Sequence, residues 1–352
     1  MTPEPELAQQ LENRAIDIAT LAFEDLIDSD SDIGNRFGSD ARQLWTEHFA
    51  QKVMELSAAL AAGEPRLFRD CMAWSVKAMQ ARQLQNDDLE KSTNSLLAAL
   101  RQLLNDEQQR LITSYIDIAE SELQLDTLAN EILALDPGLE TDRIAILYLQ
   151  AVIVGNIHSG MDIVIDQVDN GMSVQDAYLK VLLPAQQEVG RLWHMNKLSI
   201  AEEHLVTSTT QRLMAVLAGT VAHGNDNGLT AIAAAVAGNA HELGIRTIAY
   251  LLEFSGWKTI YLGSDVPGAD LPATVNCFDA DLVLLSTSLS SQLKTLRATI
   301  NQIRRDSNRP VKIMVGGNGF AGAPELWRNI GADAYAVDAE QAVALANTII
   351  EP

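Results

Sequence analysis

The chain has 352 residues and a formal net charge of −22, with a pI near 4.5. So acidic a composition argues against a phosphate-tracking surface, which makes nucleic acid a poor partner and leaves small molecules or proteins. The two cysteines, Cys71 and Cys277, stand far apart without a CxxC or Cys/His pattern. Neither a disulfide framework nor a zinc site is indicated, and a reduced, cytoplasmic setting is expected. The first residues lack a basic-then-apolar leader and no run of 18 apolar residues occurs, so a soluble protein without a membrane span is expected.

The chain reads as three parts. Residues 1–135 form an all-α domain of roughly five helices, broken near Gly34 and Gly38, at Ala62-Gly63-Glu64-Pro65 and around Asn86-Asp87-Asp88. Trp45, Phe49, Val53, Leu56 and Leu60 recur at three- and four-residue intervals, as do Phe68, Met72, Val76 and Met79, which is the spacing of one buried helix face. Leu135-Asp136-Pro137-Gly138 then interrupts the pattern. Residues 142–222 read as a four-helix bundle, divided near Val154-Gly155, at Asn170-Gly171 and at Asn196-Lys197-Leu198, with Ser199 as an N-cap. Residues 228–352 alternate helical stretches with short apolar runs at 230–237, 258–262, 282–286, 311–315 and 333–337. That alternation predicts a parallel, doubly wound α/β sheet of Rossmann-like (flavodoxin-like) type, with its ligand at the carboxyl ends of the strands.

The loops at those ends carry the chemistry. Gly238-Asn239-Ala240-His241-Glu242-Leu243-Gly244 follows the first strand and presents a histidine where such a sheet meets a ligand. Gly263-Ser264-Asp265-Val266-Pro267 ends the second run, Ser286-Thr287-Ser288 the third and Gly316-Gly317 the fourth. Glycines admit a large planar ligand and hydroxyls can bond its tail, so together these loops outline a deep slot.

His241-x-x-Gly244, the serines on the third strand and Gly316-Gly317 resemble the cobalamin-binding fold of methionine synthases and corrinoid proteins. The resemblance implies His241 as the lower cobalt ligand, a nucleotide-tail slot at Ser286, Ser288, Gly316 and Gly317, and a close-packing glycine at Gly244. One departure is Asn239, where the family has Asp or Glu. An amide can still accept the imidazole N–H but supplies no full negative charge. Leu183-Pro184-Ala185 through Glu188-Val189-Gly190-Arg191-Leu192-Trp193 is similar to the helical cap over the upper face of cobalamin, so the resemblance spans residues from 142 to the end. Within the cap, Trp193 is followed after nine residues by Glu203-His204, a spacing that resembles the adenosylcobalamin photoreceptors. There the aromatic and the carboxylate cradle the adenosyl group. His194 matches the position that can take the upper cobalt site after light has removed adenosyl.

The N-terminal helices look like the globin-type sensor domains of stress-response proteins, and the whole arrangement is similar to the photocobilins, which hold biliverdin in the first domain and cobalamin in the second. Under that resemblance Arg66, Arg69, Lys77 or Arg82 would meet the bilin propionates, and Cys71 is a conceivable attachment point. His48 is the only histidine available there as a haem ligand, and it lies beside the Trp45/Phe49 face. His158 and His223 receive no role. The expected function is a non-enzymatic light sensor binding adenosylcobalamin and biliverdin, a homo-oligomer whose assembly changes with light and signals to a downstream protein. A corrinoid methyl carrier for a methyltransferase is the alternative.

Overall fold

A computed structural model describes residues 3–81, 86–126, 135–222 and 224–350. The chain divides into two compact units, one of residues 1–130 with 289–294 and 318–326, the other of residues 131–288, 295–317 and 327–352. Among the described residues no helix is long and apolar enough to cross a membrane.

The first unit is helical: α1 (Pro3–Asn13), α2 (Ala15–Ser29), α3 (Ile33–Phe37), α4 (Ala41–Ala62), α5 (Pro65–Ala81), α6 (Asn86–Leu103) and α7 (Asp106–Asp126). The expected break at Gly63 is present: Gly63 takes φ 68°, and the N–H groups of Gly63 and Glu64 close onto the Leu60 and Ala59 carbonyls. There are more helices than the five expected, because caps cut runs that periodicity alone joins. Asn105 is one such cap. Its Oδ1 accepts the N–H groups of Glu107 and Gln108 at 3.1 and 3.0 Å, while Gln108 Oε1 accepts the Asn105 N–H at 3.1 Å. Trp45, Phe49, Val53, Leu56, Leu60, Phe68 and Met72 are buried, as their spacing requires. Helix α2 packs on α4 and α6, and α5 on α7.

The second unit begins with a helical cap: α8 (Glu140–Ile153), α9 (Ile157–Asp169), α10 (Val174–Asp176), α11 (Leu183–His194) and α12 (Ile200–Ala218). Between α10 and α11 the helix continues as a π-helical turn, Ala177–Leu182. Pro184 has no N–H to return to that turn, and the wider winding carries the helix past the gap. Ser199 caps α12 with a full capping box, its Oγ taking the Glu202 N–H while Glu202 Oε2 takes the Ser199 N–H at 2.7 Å.

The rest of this unit is α/β: β1 (Thr230–Val236), α13 (Leu243–Phe254), β2 (Lys258–Val266), α14 (Leu271–Phe278), β3 (Leu282–Ser286), α15 (Leu293–Asp306), β4 (Lys312–Gly316), β5 (Ala334–Ala336) and α16 (Ala339–Ile349). The strands are parallel in the order β2-β1-β3-β4-β5. That order is Rossmann-like and reverses between β1 and β3, so the crevice outside their carboxyl ends is where such a sheet binds its ligand. Every residue of β1 is buried, which accounts for an unbroken apolar run where an alternating one would face water. β2 runs four residues beyond the expected 258–262. Two register shifts against β1, with Gly263 at φ 87° and Asp265 at φ 53°, carry it past positions that read as loop.

Candidate functional site

Asn239 organises the loop after β1. It is fully buried; its Oδ1 accepts the backbone N–H of His241 at 3.1 Å and its Nδ2 donates to the Ser286 carbonyl at 3.1 Å. The amide therefore ties the ends of β1 and β3 together, with its oxygen on the backbone of His241. This differs from the expectation that Asn239 would orient the imidazole. From the other side, Asp265 Oδ1 accepts the Gly238 N–H at 2.7 Å and the Asp265 N–H reaches the Asn239 carbonyl at 3.0 Å. The His241 side chain is exposed at the mouth of this crevice.

Ser286 and Ser288 are half-buried at the end of β3, and the Thr287 between them is fully buried with its Oγ1 lacking any hydrogen-bond partner in the protein. Gly316 and Gly317 are glycine for a reason internal to the sheet. A Cβ on Gly316 would stand 2.7 Å from the Ala336 carbonyl oxygen, and one on Gly317, at φ 100°, 2.1 Å from that of Thr287. Gly244 is different, since a Cβ there meets no protein atom within 4 Å. Any close packing that Gly244 permits is not with the protein's own atoms.

In the cap, Trp193 lies in the last turn of α11, partly buried against the cap core, with His194 ending the helix. Glu203 and His204 lie in the first turns of α12. Glu203 Oε1 accepts from Thr207 Oγ1 at 2.7 Å, and its Oε2 meets His204 Nδ1. Thr207 Oγ1 also lies 3.0 Å from Gln186 Oε1, Gln186 Nε2 donates to Thr210 Oγ1 at 2.8 Å, and Thr210 Oγ1 is 2.7 Å from the Tyr148 hydroxyl. This polar chain crosses α12, α11 and α8. Sequence reasoning missed it because hydroxyl and amide residues scattered over three helices carry no local pattern.

These residues suit a corrinoid. Among the described residues no three His, Cys, Asp or Glu side chains converge on a metal position. The unpartnered Thr287 hydroxyl at the strand crossover is the kind of buried polar group that a bound ligand satisfies.

Two family models, both described as B12 binding domain, match residues 147–218 and 229–346. Dimethylamine corrinoid protein 3 of Methanosarcina mazei is 31% identical over 117 residues, 33% of this chain and 68% of that protein. The chain belongs to the B12-binding family. The HTH-type transcriptional repressor CarH of Myxococcus xanthus is 30% identical over 155 residues, 44% of this chain, and the chain spans about half (51%) of that relative's length. The structure of the Methanosarcina barkeri monomethylamine corrinoid protein matches 59% of this chain and 99% of its own with a TM-score of 0.51 at 20% identity, a likeness of fold.

The N-terminal helices hold a small cavity of about 10 Å³ lined by α4 (His48, Phe49, Lys52), α5 (Phe68, Met72), α6 (Ser92, Thr93, Leu96) and Ile116 of α7. Its basic lining group is Lys52, whereas Arg66, Arg69, Lys77 and Cys71 do not line it. Lys52 Nζ donates to the Cys71 carbonyl at 3.3 Å and lies 3.6 Å from its Sγ; burial raises the Cys71 thiol above its ordinary value. Arg82 and His223 lie outside the described residues. His48 sits edge-on between the Trp45 and Phe49 rings, with centroids 5.5 and 5.7 Å away. Burial, with the Lys52 ammonium adding to it, holds the His48 imidazole down at about 3, so it is neutral near pH 7. Between about pH 6.5 and about pH 3 the unfolded chain binds a proton that the folded one refuses, so stability falls as pH falls through that window. At about pH 4.5 the loss is about 2 to 3 kcal/mol relative to pH 7. Urea unfolding of the first unit at both pH values should show that loss, and His48→Gln should flatten it; parallel profiles would rule the effect out.

Proposed function

We propose that this chain is a light sensor that binds adenosylcobalamin between its cap and its α/β domain. The observation that carries the reading is the placement of Trp193 in the last turn of α11 and of Glu203 in the first turn of α12, two helices joined by one short turn. An aromatic face and a carboxylate there suit an adenosine, whose base stacks and whose ribose hydroxyls donate. The bound group would supply a light-labile Co–C bond. His241 would hold the cobalt, and Ser286, Thr287 and Ser288 would receive the nucleotide tail. Trp193 and Glu203 would flank the adenosyl group, and His194, in the adjoining turn, would be the residue able to replace it. A change in what Trp193 and Glu203 hold would repack the cap and alter subunit association, a packing event that needs no acid or base. A downstream protein reads that assembly.

Biliverdin in a globin-like N-terminal domain belongs to the same proposal, on the strength of the family resemblance. The cavity at Lys52 and His48, about 10 Å³, holds about one water and is far below the roughly 300 Å³ of the smallest ordinary ligand sites, so a bilin would have to spread α4 from α5 and α6. A second reading, a corrinoid methyl carrier for a separate methyltransferase, is favoured by the similarity to a dimethylamine corrinoid protein.

The protein reconstituted in the dark with adenosylcobalamin and biliverdin should show a cobalamin spectrum that changes irreversibly under green light, together with a red bilin band. A photochemically inert cobalamin and no bilin uptake would sink the sensor and leave the methyl carrier.

A further inference from the structure

Helix α13 starts directly after the His241 loop, and one of its faces is the floor on which the cap stands. Leu243, Tyr250 and Phe254, at helical spacing, pack against the cap core. The buried Tyr178 of the cap places its ring 5.9 Å from Tyr250 and 6.1 Å from Phe254 and donates its hydroxyl to the Met214 carbonyl. This apolar seam is non-directional and leaves the lean of α12 open.

A directional contact lies beside the seam. Gln211 of α12 donates from Nε2 to Glu242 Oε1 at 2.8 Å. Glu242 is the residue after His241 and the first residue before α13. Its Oε1 also accepts from Arg246 Nη2 at 2.8 Å, and its Oε2 accepts from the Tyr261 hydroxyl of β2 at 2.8 Å. The Arg246 guanidinium lies over the Tyr261 ring, 4.7 Å from the centroid. Burial opposes ionisation of Glu242, yet the bonds from Arg246 and Tyr261 win and hold the carboxyl below its ordinary range. A carboxylate charged and gripped from two elements of the α/β domain is thus presented to one amide of the cap.

We propose that Glu242 is a positioning residue that couples the cap to the His241 loop, the bond from Gln211 fixing where α12 lies above the crevice. Movement of α12 breaks this bond before it disturbs the aromatic seam, and the loop carrying His241 senses the loss through the neighbouring residue. The coupling rests on cobalamin binding in this crevice and is independent of whether light or a methyltransferase acts on the cofactor.

Placing a charge at residue 211 tests it. Gln211→Glu sets a second carboxylate against Glu242. Gln211→Met removes the donor at nearly constant volume. The pair Gln211→Glu with Glu242→Gln restores a hydrogen bond of opposite sense. Two readouts apply: amide exchange of residues 200–218 in the protein without cofactor, and the rate at which cyanide replaces water on bound aquocobalamin. A lost hydrogen bond to a charged group should speed both by about tenfold in Gln211→Glu, by less in Gln211→Met, and the exchanged pair should return both toward wild type. Lowered Tm with exchange and cyanide entry at wild-type rates, or an exchanged pair no better than Gln211→Glu, would overturn the proposal. If aquocobalamin failed to bind the wild-type protein, cobalamin binding itself would fall, while amide exchange would still decide whether Gln211 and Glu242 hold the cap.

Discussion

His241→Ala is expected to weaken cobalamin binding by about a hundredfold, roughly 2.7 kcal/mol at about 1.4 kcal/mol per decade, while leaving the protein folded. The two halves of that expectation have separate causes. The imidazole is exposed and the loop is held through backbone groups, since the His241 N–H goes to Asn239 Oδ1 and Gly238 and Asn239 are tied to Asp265. Removing the ring therefore takes nothing from the packed structure and, on the proposed reading, would take from cobalamin the histidine that holds its cobalt. Titration with aquocobalamin, followed by absorbance, measures affinity, and the spectrum of the bound form should lose its histidine-ligated signature. Undiminished affinity with an unaltered spectrum would show that cobalt is ligated elsewhere.

Asn239→Asp is expected to destabilise the cofactor-free protein by about 2 to 3 kcal/mol near pH 7, although Asp is the residue found there in the family that the loop resembles. The new carboxylate can still accept the His241 N–H. Where Nδ2 donated to the Ser286 carbonyl, however, an oxygen now faces an oxygen in a fully buried position. A buried acceptor left without its donor costs about 1 to 3 kcal/mol, and charge adds to that. Protonating the introduced carboxylate restores a donor, so its folded-state pKa is raised. The variant should approach wild-type stability in acid and lose it as pH rises through that pKa. Denaturant melts of wild type and variant across about pH 4 to 8 would show the gap opening with pH; a constant gap would mean that the introduced carboxylate turns away from Ser286.

Much of the chain was legible because its signals are local. The three- and four-residue recurrence of Trp45, Phe49, Val53, Leu56 and Leu60 marked a buried helix face, and Ser199 marked the start of its helix as an N-cap. Five apolar runs separated by helical stretches implied a parallel sheet, since nothing else buries such runs on both faces. From these the His241 loop and the carboxyl ends of β1 and β3 could be placed in one crevice. Local signals also misled where a longer-range contact decided the matter. β2 passes through Gly263 and Asp265 because pairing with β1 and the hold on Gly238 outweigh two left-handed residues.

By itself the sequence determined the order of helical and sheet regions, which histidine stands at a strand end, and that a helical segment carrying Trp193 and Glu203 precedes the sheet. Periodicity, capping and motif spacing are properties of neighbours along the chain. Only the tertiary structure decided what those residues bond to. Asn239 holds the Ser286 carbonyl 47 residues away, Gln211 reaches Glu242 across 31, and Lys52, not the arginines of α5, borders the N-terminal cavity. Such pairings depend on where folded elements bring distant polar groups together, and a buried donor or acceptor takes whatever partner lies within hydrogen-bond reach there.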